Sequence, residues 1–310
     1  MSKFDIFRGF IVVIVWGINF IAIKLGVQNV PPLLLGVLRF IVATIPAIFF
    51  LPRPPITWGK LIAIGFTINV GQFGLLFLGM KLGMPAGLAS LLLQSQSFFT
   101  LIIAVTLTGE RWQWNNLAGM ILAALGMVII GLHQGGNMTL IGFWLTLAAA
   151  ISWAIGNIIM RQATVEAPPF SMLSLIVWIG AVSIIPLAIL SLSVEGFSSW
   201  QTAWQSLSWT AVGSVIYLAY FATLGAYTLW AKLLSHYPAT VVAPFSLLVP
   251  VIGMSCSTIF LGETISFFQA IGALLIMVGL VVHVVGERLT NLKTKLLVNL
   301  KSATINEHNH

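Results

Sequence analysis

The sequence predicts an all-α, polytopic membrane protein with ten transmembrane helices in two inverted five-helix repeats and both termini cytoplasmic. The first observation behind this prediction is composition: 59% of the 310 residues are hydrophobic and only 7% are charged. Because a soluble domain carries about 25% charged residues, this chain could not cover a water-facing surface. The other two observations are a series of ten apolar stretches and a six-residue pattern that occurs twice.

Each apolar stretch is long enough for a membrane helix, which needs about 20 mostly apolar residues. The stretches are continuous, whereas the strands of membrane barrels alternate over about ten residues. Helices are therefore predicted, and they also satisfy their own backbone groups in lipid. In chain order, the predicted spans are 8–26, 32–51, 60–80, 85–107, 113–132, 138–160, 169–192, 209–233, 237–260 and 266–286.

The positions of Lys and Arg predict the orientation, because cytoplasmic loops carry an excess of them. With the N-terminus inside, eleven of the 14 Lys and Arg residues lie on the cytoplasmic side, and Lys24, Arg39 and Lys81 do not. An even number of spans then places both termini in the cytoplasm. The net charge of +7 follows from this topology. We expect no nucleic-acid partner, since no basic patch lies on a soluble domain.

The duplicated pattern has the order Pro-Ala, Gly-Glu, Gly, Gly, with the same spacing in both copies. The first copy is Pro85, Ala86, Gly109, Glu110, Gly119 and Gly126, and the second, 153 residues later, is Pro238, Ala239, Gly262, Glu263, Gly272 and Gly279. Similarity at a fixed offset indicates a repeat architecture. Five spans per copy is an odd number, so the second copy enters the membrane from the opposite side. Inverted pairs of this kind bind substrate near the midplane and alternate access between the two sides.

The expected domains are a first repeat at 1–133, a second repeat at 134–286 and a cytoplasmic basic tail at 287–310. The offset between corresponding residues grows from 140 to 153 ahead of the eighth span, which places an insertion around 194–208. Trp200 and Trp204 lie in this insertion. Because Trp rings favour the membrane interface, we expect the segment to lie at the outer surface.

Two features of the pattern concern helix ends and helix packing. Glu110 and Glu263 precede the fifth and tenth spans, where a carboxylate stabilises the positive end of a helix. A proton-coupling role for these two residues is the alternative. The last two glycines of each copy, Gly119 and Gly126 in the first and Gly272 and Gly279 in the second, fall seven residues apart on one helix face, where small side chains let helices approach closely.

Prolines inside the spans are candidate hinges or gates, with simple packing kinks as the alternative. A proline removes one helical hydrogen bond and so releases the carbonyl four residues earlier. In the ninth span, this frees the carbonyls of Thr240 and Ser246. The candidate prolines are Pro46 and Pro186, which correspond in the two copies, and Pro244 and Pro250.

Four stretches of the chain are similar to a known family: 16–20 (WGINF), 31–40, 83–90 (GMPAGLAS) and 243–251 (APFSLLVPV). They resemble the EamA family of the drug/metabolite transporter superfamily, and the likeness extends from about 8 to 286. The resemblance implies metabolite export through a cavity surrounded by spans 1, 3, 4, 6, 8 and 9. The stretches 83–100, 145–157 and 243–251 are most similar to members that export O-acetylserine and cysteine.

The polar and aromatic residues within these spans are candidates for substrate binding. A zwitterionic substrate needs donors for its carboxylate and acceptors or ring faces for its ammonium group. Arg39, the one cation well inside a span, is a possible carboxylate clamp, with a structural anchor as the alternative. The predicted cavity residues are Trp16, Asn19, Arg39, Gln72, Gln94, Gln96, Trp153, Asn157, Tyr217, Tyr220 and Ser246.

Other classes of function fit the sequence less well. An enzyme is not expected, because no HExxH motif or paired acids occur, and we expect neither a metal nor a cofactor. The alternatives are an exporter of another metabolite or drug, or a carrier of lipid-linked or nucleotide-sugar cargo. The expected function is alternating-access export in a bacterial inner membrane. The expected partners are a small amino-acid-like substrate and the bilayer, and the oligomeric state is left open.

Overall fold

A computed structural model describes residues 1–108, 114–133, 138–237 and 239–284. Every regular element in these ranges is helical, and eight helices are long and apolar enough to cross a membrane. This confirms the prediction of an all-helical, polytopic membrane protein. Glu110 and the predicted tail at 287–310 lie outside the described residues.

Ten helices follow the order of the predicted spans within the described ranges. Eight of them contain a span long and apolar enough to cross a membrane, and the apolar stretches of the other two, Pro32–Ile48 in α2 and Leu117–Leu132 in α5, are shorter. The helices are α1 (Lys3–Asn29), α2 (Pro32–Ile48), α3 (Trp58–Lys81), α4 (Ala86–Leu107), α5 (Trp114–Leu132), α6 (Leu140–Glu166), α7 (Met172–Val194), α8 (Trp209–Leu234), α9 (239–261) and α10 (Phe267–Val284).

Local chemistry explains where several helices begin. The Ser2 hydroxyl accepts from the Asp5 N–H at the start of α1, and the Thr139 hydroxyl accepts from the Gly142 N–H at the start of α6. Such caps satisfy N–H groups that the first turn of a helix leaves without partners. Helix α2 begins with Pro32, whose missing N–H costs nothing at that position.

The helices pack in corresponding pairs. Helix α1 packs against α8 and α9, and α6 packs against α3 and α4. Helix α2 packs along α7, and α4 packs along α9. Exchanging each of these helices with the one five places away along the chain reproduces these pairings. The first five helices and the last five therefore contribute corresponding partners to them.

Helices α5 and α10 meet through the last two glycines of each copy of the duplicated pattern, Gly119, Gly126, Gly272 and Gly279. A Cβ added to Gly126 would lie 2.5 Å from the Gly272 carbonyl oxygen, and one on Gly119 would lie 2.6 Å from the Gly279 oxygen. The contacts are reciprocal, because a Cβ on Gly279 would lie 2.5 Å from the Gly119 oxygen. Backbone therefore meets backbone at two levels, which is the close packing that the spacing of the glycines predicts.

Four helices depart from α-helical geometry at corresponding places, and of these only a disturbance of α9 by its prolines is expected from the sequence. Helix α3 contains a π-helical segment at Gly65–Phe73, and α8 contains one at Tyr217–Gly225. Helices α4 and α9 contain 3-10 segments at Leu93–Ser95 and Ala243–Leu247. Departures of this kind often occur at functional sites.

The inserted segment ahead of α8 forms a short helix, Phe197–Gln205. Gly196 begins it with a φ of +80°, a conformation that side chains other than glycine rarely adopt. Trp200 donates its ring N–H to the Ser191 hydroxyl at 2.8 Å, whereas Trp204 is 65% exposed. A position at the outer membrane interface stays a prediction for this helix.

Glu263 caps a different helix from the one predicted. Its two carboxylate oxygens accept from the backbone N–H groups of Ala86 at 2.7 Å and Gly87 at 3.0 Å, at the start of α4. Helix α10 begins four residues after Glu263, at Phe267, so the carboxylate is free to reach a neighbouring helix. The expectation that it stabilises the start of α10 is corrected to the start of α4.

Glu195 makes the equivalent contact at a second helix start. Its oxygens accept from the N–H groups of Leu33 at 2.7 Å and Leu34 at 3.1 Å, in the first turn of α2. The N-termini of α2 and α4 are thus both held by carboxylates from residues more than 150 positions later in the chain.

Candidate functional site

A cavity of about 620 Å³ lies among eight helices, α1 to α4 and α6 to α9. This volume falls within the range of about 300 to 1,000 Å³ that is typical of small-molecule sites. The π-helical segments contribute Asn69, Gln72, Phe73, Ala222 and Thr223 to its lining. The expected set of surrounding helices is therefore extended by α2 and α7.

Most of the residues predicted for the cavity line it. The structure brings together Trp16, Asn19, Arg39, Gln72, Gln94, Gln96, Trp153, Asn157 and Ser246. It also adds Phe73, Thr223, Tyr227 and Trp230, which share the lining although they were not among the predicted site residues. The role of these side chains in binding substrate stays a prediction.

Tyr217 and Tyr220 do not line the cavity, and their expected placement is corrected. The Tyr217 hydroxyl donates to the Val15 carbonyl at 2.8 Å, and Tyr220 is 42% exposed on the outside of the bundle. Each residue advances an α-helix by about 100°, so the wider turns of the π-helical segment at Tyr217–Gly225 change which side chains face inward. Tyr227 faces the cavity instead.

Arg39 is the most deeply buried cation among the described residues, with 2% of its surface exposed. Its Nε and Nη2 donate to the Thr223 hydroxyl at 3.0 and 2.9 Å, and the guanidinium carbon lies 4.0 Å from the centre of the Phe73 ring. Within the described ranges, Arg39 forms no salt bridge, and its Nη1 has no hydrogen-bond partner.

Asn19 lies beside a group of aromatic rings on the α1 and α8 side of the cavity. The Trp16 ring lies 5.2 Å from the Tyr227 ring and 5.3 Å from the Trp230 ring, measured between centroids. The Trp16 ring N–H donates to the Ala222 carbonyl at 3.2 Å. Among the described residues, the buried Asn19 Oδ1 has no hydrogen-bond partner.

Amide side chains of α4 connect it to both of its neighbours. Asn157 Nδ2 of α6 donates to Gln96 Oε1 at 2.7 Å. Gln94 Nε2 donates to the Ser246 carbonyl of α9 at 2.8 Å. This carbonyl is the one that Pro250 was predicted to release, and it accepts from a side chain that lines the cavity.

The four candidate hinge prolines lie inside the helices that were predicted to contain them. Pro46 is inside α2 and Pro186 is inside α7, the two helices that pack along each other. Pro244 is the second residue of the 3-10 segment Ala243–Leu247 of α9, and Pro250 lies in the α-helical part that follows, Leu248–Leu261. A hinge or gate function for these four residues stays a prediction.

Known proteins are similar in sequence to this chain over most of its length. The profile of the EamA-like transporter family matches residues 4–132 and 140–285. A Salmonella typhimurium LT2 protein named "Probable amino-acid metabolite efflux pump" is 43% identical over 290 residues, which are 93% of this chain and 97% of that protein. An Escherichia coli K12 protein of the same name is 41% identical over 290 residues, with the same two shares.

More distant relatives also cover most of the chain. The uncharacterized inner membrane transporter YedA of Escherichia coli K12 is 27% identical over 287 residues, with 88% of each chain covered. One crystal structure aligns with a TM-score of 0.54 and 20% sequence identity over 91% of this chain and 96% of its own. At that identity, the structural likeness concerns the fold alone.

Proposed function

The chain belongs to the EamA-like transporter family, and from this premise we propose that it exports small amino-acid-like metabolites by alternating access, with O-acetylserine and cysteine as favoured substrates. It is a multi-pass inner membrane protein that acts in amino-acid export. Membership of the family does not specify the substrate or the mechanism, so these two are the content of the proposal.

The cavity carries this proposal. Both segments that match the family contribute to its lining, with Asn19, Arg39 and Gln96 from the first and Trp153, Asn157 and Thr223 from the second. A cavity between two such segments is where an alternating-access carrier binds its substrate. Relative motion of the segments would then expose the same side chains to each side of the membrane in turn.

We propose that the two matched segments are inverted repeats, at 1–133 and 134–286, with ten transmembrane helices and both termini in the cytoplasm. The corresponding packing of the two sets of five helices supports this arrangement. The corresponding π-helical segments of α3 and α8 also support it. The basic tail at 287–310 then lies on the cytoplasmic side.

The charge of the cavity favours an amino-acid-like substrate over a nucleotide sugar. Arg39 is the single charged side chain among the described residues of the lining. A diphosphate group carries more than one negative charge and is usually bound by several cations. Export of another small metabolite or drug is the remaining alternative, because polar and aromatic linings bind many solutes.

An uptake assay in inverted membrane vesicles tests the proposal. Export from the cell becomes uptake into such vesicles, so we expect labelled O-acetylserine and cysteine to enter faster when the chain is present. Labelled lysine serves as an unrelated amino acid, and each measurement is made with and without a proton gradient. Uptake equal to that of vesicles without the chain, for all three solutes, would show that the proposed function is wrong.

We expect Asn157→Leu to lower export while leaving the protein folded. The change removes the 2.7 Å hydrogen bond to Gln96 Oε1 and leaves this half-buried acceptor with only the 3.3 Å contact to the Thr100 hydroxyl, a loss of about 1 to 3 kcal/mol at most. This corresponds to about a 5- to 150-fold loss in uptake rate if the bond holds the binding geometry. Vesicle uptake at equal amounts of membrane protein measures it.

Asn29→Leu is the matched control, because Asn29 also donates to a carbonyl, that of Leu25 at 2.8 Å, but lies exposed at the end of α1. Uptake by this variant should stay near the wild-type rate. Equal losses in the two variants would contradict a specific role for Asn157.

A further inference from the structure

Two buried polar atoms without hydrogen-bond partners belong to side chains that line the same cavity. One is a donor, Nη1 of Arg39, and the other is an acceptor, Oδ1 of Asn19, and neither has a partner among the described residues. Buried polar groups are almost always paired, and an unpaired one costs about 1 to 3 kcal/mol. A ligand that pairs with both atoms must carry an anionic or acceptor group and a donor group.

We propose that the cavity binds the α-amino and α-carboxyl groups of its substrate as a zwitterion, with Arg39 binding the carboxylate and Asn19 binding the ammonium. The inference rests on the proposed function and makes it more specific. It assigns recognition to the part that all α-amino acids share, and it leaves the substrate side chain to the rest of the cavity.

The surroundings of Arg39 suit a carboxylate. A guanidinium group has five N–H donors, of which the structure pairs Nε and Nη2 with Thr223. The rest of the group faces an environment without a carboxylate in the described ranges. A buried charge with no opposite charge is unfavourable, and a substrate carboxylate supplies both the opposite charge and the acceptors for Nη1.

Thr223 fixes the direction of the guanidinium. Its hydroxyl donates to the Leu218 carbonyl five residues earlier at 2.7 Å, within the π-helical segment Tyr217–Gly225. Because its one proton is used in this bond, the oxygen can only accept from Arg39. The two N–H groups that point at Thr223 are therefore held in place, and Nη1 is left for the substrate.

The surroundings of Asn19 suit an ammonium group. Its Oδ1 is an acceptor, and the rings of Trp16, Tyr227 and Trp230 nearby present faces that attract cations. A neutral amide accepts from the ammonium and leaves the charge of Arg39 for the other end of the substrate.

Affinities of three probes for the purified full-length chain in detergent test the inference. The probes are O-acetyl-L-serine, 2-aminoethyl acetate, which lacks the carboxylate, and N,O-diacetyl-L-serine, which lacks the ammonium. Each is titrated while the midpoint of thermal unfolding is followed, since a ligand of the folded state raises that midpoint. We expect the wild type to bind O-acetyl-L-serine about 10- to 100-fold more tightly than either analogue.

Variants separate the two ends of the substrate. Arg39→Met should remove the preference over 2-aminoethyl acetate and keep the preference over the diacetyl analogue. Asn19→Leu should do the reverse. Thr223→Val removes the hydroxyl and keeps the guanidinium of Arg39. This variant should still prefer O-acetyl-L-serine over 2-aminoethyl acetate.

Three results would overturn the inference: equal affinity of the wild type for the three probes, no binding of O-acetyl-L-serine, or an unchanged preference in Arg39→Met. The affinities of the wild type for the three probes test the inference even if Arg39→Met does not fold. Vesicle uptake by the wild type separates failure of this inference from failure of the proposed function. If the vesicles take up O-acetyl-L-serine but the purified chain binds the three probes equally, only the inference is overturned.

Discussion

Gly126→Leu is expected to destabilise the folded protein strongly. A Cβ at this position would lie 2.5 Å from the Gly272 carbonyl oxygen and 3.1 Å from the Ile276 backbone nitrogen. Backbone atoms cannot rotate away as a side chain can, so α5 and α10 would have to separate. Overpacking costs about 1 to 3 kcal/mol or more, and a leucine adds three further carbons to the clash. Such a loss is a large part of the total stability of a protein, about 5 to 15 kcal/mol.

The measurement is size-exclusion chromatography of the detergent-solubilised protein, together with its midpoint of thermal unfolding. Gly213→Leu is the matched control, because it makes the same substitution in α8 at a glycine with no atom within 4 Å of the added Cβ. That variant should give a single peak at the wild-type position. A monodisperse Gly126→Leu protein with the wild-type midpoint would contradict the close approach of α5 and α10.

Glu263→Gln is expected to lower both stability and export. Each carboxylate oxygen accepts from one N–H at the start of α4, Ala86 at 2.7 Å and Gly87 at 3.0 Å. A glutamine has one acceptor oxygen, so one of these N–H groups loses its partner and faces an amide donor. A hydrogen bond to a charged group is worth about 1.5 to 3 kcal/mol, and the negative charge also favours the positive end of α4.

Export should fall further than stability alone would require. Glu263 follows α9 and binds α4, and both helices line the cavity. We expect a loss of at least about tenfold in vesicle uptake, the equivalent of 1.4 kcal/mol, at equal amounts of folded protein. Under the proposed alternating-access mechanism, the change would alter the balance between the two conformations of the carrier.

Glu166→Gln is the control for this prediction. Glu166 pairs with Lys60 at the surface and is largely exposed, and such pairs contribute about 0 to 1 kcal/mol. Its unfolding midpoint and uptake should stay close to those of the wild type. If Glu263→Gln had the same unfolding midpoint and uptake as Glu166→Gln, the contact between Glu263 and α4 would contribute to neither stability nor export.

The positions of the helices could be predicted because lipid imposes a simple rule. A spanning segment must be apolar over a fixed length and must satisfy its own backbone, so hydropathy locates each helix to within several residues. The close packing of α5 against α10 could also be predicted, because a spacing of seven residues places the glycines of each helix on one face. Their reciprocal contacts follow from that face.

The site was only partly predictable for two physical reasons. Polar side chains inside apolar spans, such as Asn19, Gln96 and Asn157, stand out in the sequence and do line the cavity. The π-helical segments leave no trace in hydropathy, and they decide that Tyr227 rather than Tyr220 faces inward.

Contacts between distant residues were the second obstacle. The Glu263 carboxylate is 177 positions from Ala86, and the Thr223 hydroxyl is 184 positions from Arg39. Neither pairing has a local signal, because each depends on how complete helices pack.

The glycine contacts between α5 and α10 also bear on the proposed alternating access. Carbonyl oxygens of each helix lie against the glycines of the other at two levels, so this is the line along which the two helices approach most closely. Under the proposed mechanism, we expect the two matched segments to rotate about this line. Displacement grows with distance from an axis of rotation, so the helices that line the cavity would then travel further than α5 and α10.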